Sequence, residues 1–122
     1  MIGEIIEGFS IGLETIELVN FFESREIFID GEEMIRRAEI LRAMVVLGYT
    51  KIIIDHSDEV PESWNEYDLV LAGARFKVKR INHEREIIAY LRKVQGLWRL
   101  GYGNIDCDWD LRARLVRCSL LF

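Results

Sequence analysis

The sequence predicts an α/β or α+β fold: a mixed sheet of about five or six strands with a central parallel βαβ unit, two long helices and a long C-terminal strand. Three observations predict it. Residues 26 to 55 read as strand, helix and strand within about 30 residues, the length of a right-handed parallel crossover. Two segments, one after Asp30 and one after Asn82, repeat apolar residues at helical spacing. Residues 105 to 115 alternate apolar and charged side chains without a fault, as a strand does. The chain has 122 residues, half of them hydrophobic, and no linker, repeat or low-complexity tract, so residues 1–122 are expected to fold as one domain around a real core.

Each element has its own signal. IGEIIE, 2 to 7, reads as a short first strand, after which Gly8 and Gly12 loosen the backbone. Residues 13 to 24 fit two periods: Leu13, Ile16 and Val19 are spaced as on a helix, whereas Ile16, Leu18, Asn20 and Phe22 alternate; helix is the expectation. EIFID, 26 to 30, is a compact strand. Asp30 stands three residues ahead of Glu33, a capping-box spacing that starts a helix with Met34, Ala38, Leu41 and Val45 on one face and Gly48 closing it. KIIID, 51 to 55, is a β-branched apolar run expected as a strand covered on both faces.

Pro61 and ESWNEY predict a loop or one helical turn, and DLVLAG, 68 to 73, a buried strand. In ARFKVKRI, 74 to 81, Phe76 and Val78 point one way and Arg75, Lys77 and Lys79 the other. Asn82 then caps a second predicted helix, with Ile87, Leu91, Val94 and Trp98 as its apolar stripe and Gly101 and Gly103 at its end. The last strand points Cys107, Trp109 and Leu111 inward and Asp106, Asp108 and Asp110 outward, and its pattern shifts at Val116. Trp64, Trp98 and Trp109 each fall at an inward position and read as core or interface anchors rather than a cofactor box.

The net charge of −5 hides a division. Residues 1–66 carry fifteen acidic and five basic side chains, net −10; residues 67–122 carry six and eleven, net +5. A chain so divided either neutralises itself across the fold or binds a polyanion through its second half. Cys107 and Cys118 match no zinc spacing and are too few for a disulfide framework, so both are expected to be reduced thiols of the core. MIGEIIEG has no basic leader, and no apolar run approaches the roughly 20 residues of a bilayer span, so a cytoplasmic protein without membrane contact is expected. Abundant Ile, Glu and Arg with a single Gln and a single Pro suggest a thermophile.

Two strand ends, Asp30 and Asp55, fall at one predicted sheet edge, with His56, Asp58 and Glu59 just beyond. Ligands of open α/β sheets bind outside such edges, and carboxylates there, Asp55 and Asp58 first, would hold Mg²⁺ or Mn²⁺. Such a metal would activate water against a phosphodiester, with Glu7, Asp30, Asp55 and Asp58 as the catalytic set. Asp30 is also accounted for as a helix cap, and Ser57 or Asp58 as the cap of the next turn. EIIEG, 4 to 8, and Asp55-His56-Ser57-Asp58 resemble the strand-end Glu and the later Asp-x-Asp of Toprim nuclease and topoisomerase domains, with one extra residue between the aspartates here. That resemblance covers residues 2 to 72 and implies a β, α, β, α, β order and metal-dependent phosphodiester chemistry. Single histidines, and a Ser57 without flanking elbow glycines, do not form a hydrolytic triad.

The basic set is Arg75, Lys77, Lys79 and Arg80, followed by Arg85, Arg92, Lys93 and Arg99. It would track phosphates, while Phe76, Trp98 or Tyr102 would stack on unpaired bases. Asp106, Asp108 and Asp110 have the spacing to oppose Arg75, Lys77 and Lys79 on a neighbouring strand; as three alternate strand residues they diverge rather than converge on one ion. The polar face of the last strand suggests a sheet edge, and Val116, Cys118, Leu120 and Phe122 beyond it suggest self-association into a homodimer. The leading expectation is a binding or assembly protein with a nucleic-acid surface on residues 75–99; the competing one is the metal-dependent phosphodiesterase.

Overall fold

A computed structural model describes residues 2–120 of the chain. It is a mixed α/β structure whose main sheet has six strands, all antiparallel neighbours except one parallel pair, with two helices. β1 (Ile5–Ile11) and β2 (Glu14–Val19) open it as a hairpin. Gly12, at φ 60°, starts the two-residue loop, as a tight hairpin requires. The expected helix over 13 to 24 is therefore a strand and a loop. Ile16 and Leu18 are both fully buried on one face, while Glu17 on the other pairs with Arg117 at 2.7 Å.

β3 (Phe28–Asp30) leads into α1 (Gly31–Ile40), which is capped as the sequence indicates: the Asp30 carboxylate accepts from the Glu33 N–H at 2.8 Å. Glu33 turns its own carboxylate to Arg36 and Arg37 instead of back to Asp30, and the helix stops well before Gly48, with Arg42 at φ 57° redirecting the chain. KIIID forms no strand. It belongs to α2 (Tyr49–Asp55), where Ile53 is buried, Ile54 is 42% exposed, and Lys51 pairs with Asp55 one turn on. A short apolar run does not distinguish a covered strand from a helix, and here only one stripe finds a cover.

One 3-10 turn, Glu62–Trp64, precedes β4 (Asp68–Arg80). The expected second long helix is instead β5 (His83–Val94) and β6 (Leu97–Asn104), joined by Gln95 at φ 51° and Gly96 at φ 80°. Two successive left-handed residues make the tightest hairpin loop. In β5, Ile88 packs in one core layer and Ala89 and Leu91 in the other, so IIAYL is a strand covered on both sides. The expected single strand from 105 to 115 is also broken: the Asp110 carboxylate accepts from the Arg112 N–H at 2.9 Å, turning the chain between β7 (Asp108–Asp110) and β8 (Ala113–Leu120), and Cys107 and Leu111, expected inward, fall in the turns and are exposed.

The main sheet runs β1-β2-β8-β4-β5-β6, and β3 pairs with β7 alone in a small second sheet. The central βαβ unit is therefore absent, and the only parallel contact among the described residues is Asp68–Val70 of β4 beside Ala113–Leu115 of β8. Nor does the order implied by the Toprim resemblance occur: Glu7 lies inside β1 and Asp55 ends a helix. The C-terminal strand is no edge, since β2 and β4 flank it; Phe122 lies outside the described residues. No helix among those residues is long and apolar enough to cross a membrane.

The sheet has two covered faces. α1 with the β3–β7 pair packs on one, through Met34, Ile35, Ala38, Ile29 and Trp109. α2 and the 3-10 turn pack on the other, through Ile53 and Trp64. Between α1 and α2 the chain passes from the first face to the second where β4 and β8 have parted. Ala43 belongs to the first layer and Val45 to the second; Arg117 of β8 donates to the Leu41 carbonyl at 3.2 Å, and the Gly73 N–H of β4 donates to the Val45 carbonyl at 2.9 Å. At that point β4 bulges, with Leu71 opposite Ala89 but Arg75 opposite Ile88. A Cβ on Gly73 would lie 2.7 Å from the Met44 carbonyl, so the crossing needs glycine. Parted parallel strands commonly leave a ligand crevice; here the protein's own backbone fills it.

Candidate nucleic-acid interface

β4 and β5 stay paired from Arg75 opposite Ile88 to Arg80 opposite His83, whereas β6 follows β5 only as far as Ile87. The Glu86 carbonyl still accepts from the Ile105 N–H at 3.0 Å, so the three pairs from Val78–Arg85 to Arg80–His83 form the free two-stranded arm, roughly 7 Å long before its turn at about 3.3 Å per residue. Residues 79–85 are all exposed, and Ile81 at the turn is 100% exposed. Residues 75–86 carry five Arg and Lys against two Glu, net +3 in a chain of net −5.

Arg75, Lys77 and Lys79 share one face of the arm, as their alternation predicts, but their carboxylate partners are not the aspartates of 106 to 110. Arg75 pairs with Glu86 at 2.6 Å, while Lys77 and Lys79 share Glu84 at 3.7 and 3.9 Å. Asp108 and Asp110 lie in β7, which pairs with β3 and not with β4, and Asp106 lines a shallow cleft with Lys77 and Arg85 without an ion pair to either. Both lysines are well exposed, at 67% and 80%, and such loose ion pairs contribute only about 0 to 1 kcal/mol, so a phosphate competes readily for them. Arg80 and Arg85 make no ion pair among the described residues, and Arg85 lines a shallow cleft with Glu32 and Asp106. At the base of the arm Phe76 and Tyr102, 39% and 48% exposed, meet edge to face at 6.1 Å.

Arg92, Lys93 and Arg99 do not join this group. Nine residues of extended strand, roughly 30 Å, separate Arg92 from His83. Arg92 is bound by both oxygens of Asp68 at 2.8 Å and stacks over Tyr90, and the Asp68 carboxylate holds its guanidinium firmly protonated. Lys93 donates to Asn65 and lies over the Trp98 ring; Arg99 is exposed opposite Arg92. Trp98, 7% exposed, is a core residue, which leaves Phe76 and Tyr102 as the stacking candidates. Gly101 and Gly103 end no helix: a Cβ on either would strike the Tyr90 or the Trp109 ring, so they let those rings lie on β6.

The carboxylates expected to hold Mg²⁺ or Mn²⁺ are dispersed. Asp30 caps α1 on one face of the sheet, and Asp55 ends α2 on the other, paired with Lys51 at 2.6 Å. Glu7 accepts from the Ser63 hydroxyl at 2.7 Å, and Asp58 is exposed in the turn after α2. No three His, Cys, Asp or Glu side chains among the described residues are grouped to hold a metal ion, so these residues do not fit a divalent cation. Sequence reasoning missed the tip residues Ile81 and Asn82 because Asn82 reads equally as a helix cap, and no glycine or proline marks the turn. Comparison with family models, with curated proteins and with solved structures gives no match to this chain.

Proposed function

We propose that the protein binds nucleic acid through the β4–β5 arm. The observation that carries this reading is a net charge of +3 on a projecting ribbon of an otherwise acidic chain, with Arg80 and Arg85 both exposed and engaged in no ion pair among the described residues. The negative first half repels a polyanion and the arm attracts it, so the approach is oriented. Lys77, Lys79, Arg80 and Arg85 supply phosphate contacts, which give affinity without sequence information. Self-association through the C-terminal strand forms no part of this reading, because β8 has a strand on each side.

Fluorescence anisotropy with a labelled 30-base-pair duplex and its single strand tests it. Four phosphate contacts give a slope of log K against log salt of about −3.6 on duplex, roughly a hundredfold weakening between 50 and 200 mM salt. The double variant Lys79→Glu, Arg80→Glu is expected to lose binding while keeping its circular dichroism spectrum. Absence of binding to either probe at low salt, or unchanged affinity in the variant, overturns the reading.

A further inference from the structure

The tip of the arm has a feature that phosphate binding does not use. Three two-residue hairpin loops close the main sheet at Gly12-Leu13, Ile81-Asn82 and Gln95-Gly96. The first and third contain left-handed residues, the geometry that matches strand twist; neither Ile81 nor Asn82 has a positive φ. Turn residues are ordinarily Gly, Asn, Asp, Ser or Pro, so the backbone has no need of a β-branched side chain at position 81. Ile81 also packs against nothing, being 100% exposed. Leu13, at the first loop, is 64% exposed but is followed by Glu14; Ile81 instead has Lys79 and Arg80 before it and Asn82 and His83 after it.

An apolar side chain at the apex of a cationic ribbon, with Arg and Asn on either side, has the composition of a minor-groove wedge. Proteins that enter that groove read it with Arg, Lys and Asn and push an apolar residue between base steps, kinking the duplex by roughly 20 to 90°. Taking the binding reading above as its basis, we infer that the partner is duplex DNA, entered from the minor groove by Arg80-Ile81-Asn82, with Ile81 as the wedge that bends it. Asn82 reaches into the groove, Arg80 keeps its phosphate contact at the groove edge, and Lys77, Lys79 and Arg85 follow the phosphates along the arm. Flexible pyrimidine–purine steps flanked by A·T pairs are the favoured sites, because they unstack at least cost.

The test uses the full chain and a 30-base-pair duplex with a fluorophore pair at its ends and a central TA step. The wild type is expected to shorten the end-to-end distance on binding and to prefer duplex over single strand by at least tenfold. Ile81→Ala removes only an exposed side chain, so the fold is retained; it is expected to bind within about threefold of the wild type and to leave the duplex straight. Equal bending by the two proteins, no bending by either, or single strand bound as tightly as duplex overturns the wedge while leaving the parent reading intact. Loss of all nucleic-acid binding defeats both. Ile81-dependent partition into vesicles of phosphatidylcholine with 30% phosphatidylserine, without duplex bending, reassigns the tip to a membrane surface.

Discussion

Arg37 is 7% exposed and spends its guanidinium on three acceptors: Glu26 at 2.6 and 2.9 Å, Glu33 at 2.8 Å and the Phe21 carbonyl at 2.9 Å. Hydrogen bonds from Arg37 hold the Glu26 carboxyl down at about 2, and those from Arg36 and Arg37 do the same for Glu33, against an ordinary 4.5. Because the folded values lie below the unfolded ones, the stability they contribute is complete above about pH 4.5 and is lost as pH falls toward 2. Urea unfolding followed from pH 6 to pH 2.5 is expected to show that loss, and the double variant Glu26→Gln, Glu33→Gln to flatten it; an equal slope in both proteins would assign the acid sensitivity elsewhere. Part of this residue-level structure was legible. The Asp30 cap and the three buried tryptophans follow from their local sequence, whereas Arg37 reads as a solvent-facing charge, since its partners Phe21 and Glu26 come from an unrelated loop.

Among the elements, α1 alone has both a cap signal and an unambiguous stripe, and its start was legible in the sequence, as was that of β4 at the buried run DLVLAG. KIIID and HEREIIAYLRKV satisfy two periods at once, and tertiary cover decides between them: the first becomes a helix with one buried stripe, the second a strand with two covered faces. Turn chemistry held the missing information. Gly12 and the Gln95-Gly96 pair are hairpin loops, and reading them so converts two predicted helices into strands. The bulge at Gly73 has no such sign, because its glycine answers to a carbonyl about thirty residues earlier in the chain. Gly73→Ala is expected to cost about 1 to 3 kcal/mol, the range of overpacking, since both nearest atoms are backbone oxygens that move little. Urea denaturation measures it, and an unchanged midpoint would mean that the crossing segment relaxes freely.

At the scale of the whole molecule, the charge division was legible from the distribution of charged residues and the mixed α/β class from the hydrophobic patterning, but the strand order was not. β8 finds β2 across a hundred residues of sequence, as the Glu17–Arg117 pair shows, and no local pattern encodes so distant a neighbour. The Asp55 edge was lost for the same reason: without the βαβ unit, Asp30 and Asp55 fall on opposite sides of the sheet. Leu115 and Val116 of β8 are fully buried in the two core layers, one in each, so the strand holds both faces together. Removing residues 113–122 is expected to abolish the cooperative thermal transition and to cause light scattering, rather than to yield a smaller folded protein; a retained sharp transition would show the remaining strands to be self-sufficient. The position of β8 also sets an order of events during synthesis. It is the last described strand to leave the ribosome, and until it does β2 and β4 each present an open apolar edge. At the roughly 5 to 20 residues per second of translation, the nascent protein waits seconds with its central gap unfilled, a window in which a chaperone or a neighbouring nascent chain competes for that place.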